Sequence, residues 1–224
     1  MVLDQLAQAG APGGPSRQPA GGRVLSRPMS RPFLYLKRGF DIAMSLLLLP
    51  ALVVIAGLLC LLNPLFNRGP VFFLQRRMGQ FCRPFTAIKF RSMRPDPTPC
   101  RGAADPVETD RITPLGHVLR RSRIDELPQI LNVLKGEMSL IGPRPDALGH
   151  AEEFLRTIPG YRERHALRPG ISGLAQTEIG YVQGFEETRR KVAADLYYIS
   201  HASLGLDAYI FLRTLRTVLG RHGL

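Results

Sequence analysis

The hydrophobic pattern is dominated by an uncharged run from Ile42 to Leu62, IAMSLLLLPALVVIAGLLCLL. A run of this length matches an α-helix that crosses a hydrocarbon core about 30 Å thick. A buried core helix is the alternative, but it would have to be covered on every side, and a chain of 224 residues has little material for that. The pattern therefore predicts a membrane-associated helix.

Two features of this segment favour a re-entrant hairpin, which we assign to residues 33–66. Pro50 lies near the middle of the run, where a missing backbone donor and a steric clash predict a bend. A spanning helix carries its excess of Lys and Arg on the cytoplasmic side, but here basic residues lie on both sides. Those before the run are Arg31, Lys37 and Arg38, and those after it are Arg68, Arg76, Arg77, Arg83 and Lys89. Each arm of a hairpin would be about 12 to 18 Å long; a Pro-kinked spanning helix is the alternative.

Outside this segment the pattern predicts a tail and one further domain. Residues 1–32 are rich in Gly, Pro, Ala and Arg without apolar periodicity, which is typical of a disordered tail, and they contain no apolar core of a secretory signal. Residues 71–75 and 85–91 are aromatic and β-branched and predict a β-hairpin, followed by a Pro-rich loop over 94–106. Helices are predicted near residues 113–122, 126–135, 147–157, 185–200 and 207–220.

The predicted fold class is α/β (α+β), with a small antiparallel hairpin and surrounding helices attached to a Pro-kinked re-entrant membrane helix. Residues 67–224 would form the cytosolic domain. Its last helix mixes apolar and basic residues, so it lies either on the lipid headgroups or on the domain as an ordinary amphipathic helix.

The charge balance indicates an anionic partner. Thirty Lys and Arg against eighteen Asp and Glu give a formal net charge of +12, which suits nucleic acid, phospholipid headgroups or phosphorylated substrates. The chain has no recognisable nucleic-acid reading module, and the apolar run favours a membrane, so we expect no nucleic-acid partner. The three cysteines and five histidines show no metal-ligand spacing, which argues against a zinc site or a disulfide framework.

The densest polar cluster lies in residues 119–145, LRRSRIDELPQILNVLKGEMSLIGPRP. Pro128 is tolerated only in the first turn of a helix, so a helix should begin close to Asp125 and Glu126. Both carboxylates would then lie at its positive end. The apolar positions that recur with helical spacing behind this start are Leu127, Ile130, Leu131 and Leu134.

Acidic residues at a helix start are commonly only caps, and the two carboxylates alone would favour that interpretation. Their basic surroundings change it. Arg144 lies between two prolines that restrict its backbone, and Arg120, Arg121 and Arg123 precede the carboxylates. Guanidinium groups and a helix N-terminus bind phosphate, and two carboxylates among them can hold Mg²⁺ and supply a nucleophile.

From about Tyr35 to its C-terminus, the chain resembles the bacterial sugar transferases called monotopic phosphoglycosyl transferases, which make polyprenyl diphosphate-linked sugars. So many segments in the same order are more specific than any single motif. The matching segments are KRGFD at 37–41, the Pro50-interrupted membrane run, FLQRRMG at 73–79, FTAIKFRSM at 85–93, DRITPLGHVLRRSRIDELPQILNVLKGEMSLIGPRP at 110–145, RPGISGLAQ at 168–176 and DLYYISHASLGLD at 195–207.

The resemblance implies a two-step transfer of a sugar 1-phosphate from a UDP-sugar to polyprenyl (undecaprenyl) phosphate, which initiates exopolysaccharide, capsule, O-antigen or glycan assembly. Asp125 would attack the phosphate bonded to the sugar and expel UMP, leaving a covalent phosphosugar for the polyprenyl phosphate to attack. Asp125 and Glu126 would hold Mg²⁺, which neutralises diphosphate charge, or Glu126 would position the incoming groups. The substrate-binding residues that the resemblance implies are Lys89, Arg120, Arg144 and Asp195.

The supply of UDP-sugar implies the cytoplasmic face of the bacterial inner membrane. Two departures from the family pattern matter: Leu49 precedes the kink proline where the family often has Ser, and residues 177–191 differ from the glycine-arginine pattern of common members. The donor therefore stays open among galactose, glucose and N-acetylated or diamino sugars. From another class, a non-catalytic membrane scaffold of polysaccharide assembly is the alternative, although it would not need Asp125, Glu126 and Arg144.

Overall fold

A long N-terminal helix and a small α+β unit make up the part of the chain that the structure describes. This is a computed structural model, and it describes residues 29–67, 69–95, 108–179 and 185–220. The elements in chain order are α1 (Arg31–Phe66), β1 (Phe72–Met78), β2 (Pro84–Phe90), α2 (Pro114–Arg121), α3 (Gln129–Lys135), β3 (Ser139–Ile141), α4 (Leu148–Thr157), β4 (Gly170–Ser172), α5 (Leu174–Glu178), α6 (Phe185–His201) and α7 (Leu204–Leu219).

Helix α1 contains the predicted membrane segment. Its N-cap is Ser30, whose hydroxyl accepts from Phe33 N, and the helix passes through Pro50 and Pro64 before it ends at Asn67. Only 17% of its most apolar 18-residue window is buried inside the protein, and the helix is long enough to cross a membrane. A core helix would be mostly covered, so α1 is a membrane-associated helix.

One stripe of α1 is attached to the rest of the protein. Leu52 and Leu59, seven residues apart and therefore on one face, pack with Phe90, Leu119 and Ile130. The remaining circumference is apolar and exposed, which suits a lipid environment. The exposed side chains include Leu46, Leu47, Val53, Val54, Leu58, Leu61 and Leu65.

The N-terminal part of α1 is joined to α3 and β3 by polar contacts. Arg38 donates to the carbonyl oxygens of Val133 (2.7 Å) and Leu134 (3.2 Å), at the C-terminal end of α3. Asp41 Oδ1 accepts from Leu140 N at 3.0 Å. Arg38 thus adds a side-chain donor at the C-terminal end of α3, where Val133 O also accepts from Gly136 N, and Asp41 accepts from a backbone N–H of β3.

Both ends of α1 reach the same α+β unit. Near its start, Lys37 Nζ lies 2.7 Å from Asp207 Oδ2 on α7. At its end, Asn67 Nδ2 donates to Arg91 O at 2.8 Å, just after β2. Helix α1 is therefore attached to the α+β unit at both of its ends.

The predicted β-hairpin is confirmed and is longer than predicted. Strands β1 and β2 pair antiparallel from Phe72↔Phe90 to Met78↔Pro84. The connection is a 3₁₀ turn at Gln80–Cys82. The Pro-rich loop after β2 and the tail before Met29 lie mostly outside the described residues.

A second, parallel pair of short strands was not predicted. Ser139 pairs with Gly170, and Ile141 with Ser172. The two paired segments approach so closely that a Cβ on Gly170 would lie 2.2 Å from Gly142 N, so only glycine fits at position 170. The predicted helices are all present, and α5 is an addition; the confirmed class is α+β with a small antiparallel hairpin.

Candidate active site

The two carboxylates lie on a short turn between α2 and α3. Helix α2 ends at Arg121, and Arg123 adopts the left-handed conformation with φ 54°. A 3₁₀ turn at Ile124–Glu126 follows, and α3 begins at Gln129 after Pro128 has already entered the helical region. The predicted helix start is correct to within three residues, because proline fits where the first N–H groups have no helical partner.

A close approach between α2 and the end of β2 fixes this turn. Thr113 caps α2 by accepting from Gly116 N at 3.0 Å. A Cβ on Gly116 would lie 1.8 Å from Ser92 O, so a side chain there would push α2 away. Arg120, near the C-terminal end of α2, lies beside Met93, which follows the strand β2 that carries Lys89.

Glu126 is the centre of an ion-pair cluster. Its carboxylate accepts from Lys89 Nζ at 2.7 Å and from both Nη atoms of Arg144, of which Nη1 lies at 3.2 Å. Arg123 Nη1 is 3.8 Å away. Burial acts to raise the pKa of Glu126, but Arg144 and Lys89 outweigh it and hold that pKa well below its ordinary value. Glu126 is therefore an anion with its charge already compensated.

Asp125 has a different environment, although it is the adjacent residue. It is 8% exposed, and its carboxylate forms no ion pair with any residue in the described ranges. Burial raises its pKa, and the charge of Glu126 raises that pKa further, against the opposing effect of Lys89 and nearby arginines. A carboxylate of raised basicity without a bound cation is the better nucleophile of the two.

The three cations predicted as phosphate contacts all lie at this cluster. Burial lowers the pKa of Lys89 to about 8, although the attraction of Glu126 opposes this. Arg120 Nη1 lies 3.6 Å from Met93 Sδ, which is a weak acceptor, and the charge of Arg120 acts to lower the pKa of Asp125. Arg144 Nη1 also donates to Ile171 O at 3.1 Å. Lys89, Arg120 and Arg144 around two carboxylates leave a positive excess that suits a diphosphate.

Asp195, the fourth residue predicted to contact substrate, is not brought to the two carboxylates. It is 1% exposed, and its Oδ2 lies 2.7 Å from Arg164 Nη2. Arg164 is itself 1% exposed and donates from Nη2 to Arg144 O at 2.7 Å. Asp195 therefore lies one residue behind the site, because a buried arginine stands between it and Arg144.

The carboxylates fit Mg²⁺ as a partial ligand set. Magnesium in phosphoryl-transfer sites is commonly held by one or two carboxylates together with phosphate oxygens and water. No group of three or more His, Cys, Asp or Glu within the described residues could hold a metal ion without such help. Asp125 offers free oxygens, whereas those of Glu126 already accept from Lys89 and Arg144. The donor set fits an ion that is bound jointly with a diphosphate.

The site is next to the membrane helix. Ile124 and Leu127, which flank the two carboxylates, pack against the cluster that contains Leu52 and Leu59 of α1. A cationic, carboxylate-bearing site in this position suits a phosphorylated ligand at a membrane surface. The family model described as "Bacterial sugar transferase" matches residues 33–221, and the chain belongs to this family.

Curated relatives have more specific names. The chain is 43% identical over 203 residues to the UDP-N-acetylgalactosamine-undecaprenyl-phosphate N-acetylgalactosaminephosphotransferase of Aeromonas hydrophila, an alignment that covers 90% of this chain and 47% of that protein. It is 42% identical over 194 residues to the exopolysaccharide production protein PSS of Rhizobium leguminosarum bv. phaseoli, covering 84% and 97%. It is 40% identical over 190 residues to the UDP-glucose:undecaprenyl-phosphate glucose-1-phosphate transferase of Caulobacter vibrioides, covering 82% and 69%.

The chain thus spans about half the length of the Aeromonas protein and nearly all of the Rhizobium protein. Of these three relatives, the Aeromonas protein is named for N-acetylgalactosamine and the Caulobacter protein for glucose. Similarity to them therefore selects no donor.

Proposed function

We propose that the protein transfers a sugar 1-phosphate from a UDP-sugar to undecaprenyl phosphate through a covalent intermediate on Asp125, as the initiating step of polysaccharide assembly. The observation that carries the proposal is the contrast between adjacent carboxylates. Lys89 and Arg144 neutralise Glu126, and no ion pair within the described residues occupies Asp125. The names of the Aeromonas and Caulobacter relatives support the two substrate classes.

In the first step, an Asp125 oxygen attacks the phosphorus bonded to the sugar. The bond from that phosphorus to the bridging oxygen breaks, and UMP leaves with the electron pair. Lys89, Arg120 and Arg144 are placed to bind the phosphoryl oxygens, whose charge is spread in the transition state. Magnesium held by Asp125 together with the diphosphate, with Glu126 beside it, would supply further neutralisation of the diphosphate.

In the second step, a phosphate oxygen of undecaprenyl phosphate attacks the same phosphorus. The bond to Asp125 breaks, the carboxylate is restored, and the product is undecaprenyl diphosphate carrying the sugar. The acceptor keeps its tail in the bilayer and its phosphate at the surface. The packing of Ile124 and Leu127 near α1 supports such delivery, because it keeps the nucleophile close to the membrane helix.

We further propose that α1 is a re-entrant hairpin, with both ends on the cytoplasmic face of the bacterial inner membrane. In a straight helix, Lys37 and Asn67 would be about 45 Å apart, more than a hydrocarbon core of roughly 30 Å. A spanning helix would put these residues on opposite faces. The contacts of Lys37 with Asp207 and of Asn67 with Arg91 support the hairpin, because both partners belong to one α+β unit.

Helix α7 is proposed to lie on the headgroup surface beside α1. Phe211 of α7 meets Phe40 of α1 edge to face, with ring centroids 5.8 Å apart. Leu212 is exposed, and Arg213 follows it. Apolar and basic side chains in this arrangement suit a helix at the boundary of anionic lipid.

The proposed transfer is tested by UMP release from a panel of UDP-sugars, with undecaprenyl phosphate, Mg²⁺ and protein purified in detergent. We expect release that depends on the acceptor and is reduced by on the order of 10³-fold or more in Asp125→Asn. The exposed Asp110 gives a matched control, because Asp110→Asn makes the same change in a carboxylate on a separate 3₁₀ turn, Thr109–Arg111. Folded protein that releases UMP from no donor would exclude the transferase proposal and favour the scaffold alternative.

The covalent intermediate needs a separate test. Intact-protein mass spectrometry after mixing with the productive donor, without acceptor, should show the added mass of one sugar phosphate in the wild type and none in Asp125→Asn. Full acceptor-dependent turnover without any such adduct would overturn the aspartyl intermediate and leave the transfer itself standing.

A further inference from the structure

The loop that carries Arg144, residues 143–146, is held by its carbonyl oxygens. Two of its four residues are prolines and have no backbone donor. Each of the four carbonyls accepts a hydrogen bond from a different residue. The bonds run from Gly170 N to Pro143 O (2.9 Å), Arg164 Nη2 to Arg144 O (2.7 Å), Arg77 Nη1 to Pro145 O (2.6 Å) and Met78 N to Asp146 O (3.1 Å).

Two of these four donors are side chains, and of these two Arg164 is the buried one; two carboxylates hold it in place. Its Nη1 donates to Asp146 Oδ2 at 2.6 Å, and its Nε donates to Asp195 Oδ2 at 2.8 Å. Asp146 also accepts from Lys191 Nζ and from Tyr161 Oη. The charges of Arg164 and Lys191 balance those of Asp146 and Asp195, so each charge in this network has a partner of opposite sign.

We propose that Arg164 is a positioning residue for the transfer. It fixes the main chain of Arg144, and thereby the direction of the guanidinium that contacts Glu126 and would contact the donor phosphate. A displacement of about 1 Å in such a site costs on the order of 10²-fold in rate. Asp195 acts through Arg164 and touches no substrate. The inference rests on the proposed function, because it takes Arg144 as a phosphate contact.

The test is a double-mutant cycle between Arg164 and Arg144. Arg164→Lys keeps the charge but replaces the planar fork with a single nitrogen, which cannot bond Asp146, Asp195 and Arg144 O together. We expect it to lower kcat for UMP release about 10- to 100-fold in the wild type. In an Arg144→Ala background, Arg164→Lys should lower kcat by less than about 2-fold, because position 144 then has no guanidinium for Arg164 to orient. The melting temperature should fall equally in both backgrounds.

The affinity for UDP is also measured for the same four proteins, so that the coupling between Arg164 and Arg144 can be determined even if the Arg144→Ala variants turn over too slowly for kcat. Asp195→Asn, which preserves shape, provides a second route if Arg164→Lys does not fold, with an expected loss of about 3- to 10-fold. Arg189→Lys is the matched control, since Arg189 is on the same helix as Asp195 but its ion pair with Glu186 is exposed.

Three outcomes separate the hypotheses. Coupled losses, with equal changes in melting temperature, support the positioning role. Additive losses, or wild-type turnover in Arg164→Lys beside a defective Arg144→Ala, overturn this inference alone. An Arg144→Ala variant with unchanged turnover and unchanged affinity for UDP removes the phosphate contact of the proposed function as well.

Discussion

At the residue scale, the chemistry of the site comes from side chains that are far apart in sequence. Lys89 comes from β2 and Arg144 from the loop after β3, and both bind Glu126. Both cations pair with Glu126 and lower its pKa, while the adjacent Asp125 has a raised pKa and no ion pair among the described residues. A difference in partners, and not in residue type, thus distinguishes the proposed nucleophile from its neighbour.

The lowered pKa of Lys89 predicts an alkaline limit to activity. The ammonium is present below about pH 8 and is lost above it, so Glu126 loses a partner and the phosphate site loses a cation as pH rises. We expect kcat/KM for UMP release to fall above about pH 8. Lys89→Arg stays charged over this range and should move the fall upward by at least about one pH unit. If kcat/KM of Lys89→Arg still falls near pH 8, a group other than Lys89 titrates there.

The residues that line the site were largely predictable, whereas their support was not. Asp125, Glu126, Arg120 and Arg144 fall in one dense segment whose proline marks a helix start. Arg164 lies in an ordinary charged stretch and gives no signal of burial, because its partners come from distant helices and loops. The one usable signal in this part of the sequence is the pair of prolines around Arg144, since a loop with few backbone donors is held mainly through its carbonyl oxygens.

At the scale of elements, α3 links the carboxylates to the membrane anchor. The segment that carries the carboxylates leads into its N-terminus, and Arg38 of α1 binds the two carbonyls near its C-terminus. The sequence predicts Lys37 and Arg38 as flanking charges of a membrane helix. In the structure, both are engaged with the α+β unit, so they fix the angle of the anchor.

Removal of the Arg38 contacts should destabilise this joint. Arg38→Gln shortens the side chain and loses its bonds to the carbonyls of Val133 and Leu134, at a cost of about 1 to 3 kcal/mol, or a fall in melting temperature of roughly 3 to 8 °C. Thermal unfolding in detergent measures it. Arg31→Gln is the control, because Arg31 is exposed at the start of the same helix. Equal shifts in the two variants would show that the joint has no special role.

Element prediction succeeded where a segment was long enough to show a distinctive composition. The hairpin strands have seven residues each, and the segments that form them are rich in aromatic and β-branched side chains. Strands β3 and β4 have three residues each, which is too short for a recognisable pattern. Their parallel pairing depends on the contact between Gly142 and Gly170, and that contact exists only after the chain has folded.

At the scale of the whole molecule, the attachment of α1 at both ends determines what the anchor can do. A helix held by Lys37 at one end and by Asn67 at the other cannot place those ends on opposite faces without drawing the α+β unit into the bilayer. The buried stripe containing Leu52 and Leu59 adds to this constraint. Under the proposed hairpin topology, the site would lie at the height of the lipid headgroups, where the proposed acceptor carries its phosphate.

This arrangement predicts that both flanks of α1 are reached from one side of the membrane. In a background with Cys60, Cys82 and Cys100 replaced by serine, single cysteines are placed at the exposed Ser30, before α1, and at Val118, on the α+β unit and 62% exposed. An impermeant maleimide should label both in inside-out vesicles and neither in right-side-out vesicles, because a hairpin returns to the face it entered. Labelling of Ser30→Cys from the outer face alone, with Val118→Cys labelled from the inner face, would make α1 a spanning helix. The contacts of Lys37 and Asn67 would then have to be abandoned in the membrane, and Arg38→Gln should have little effect on melting there.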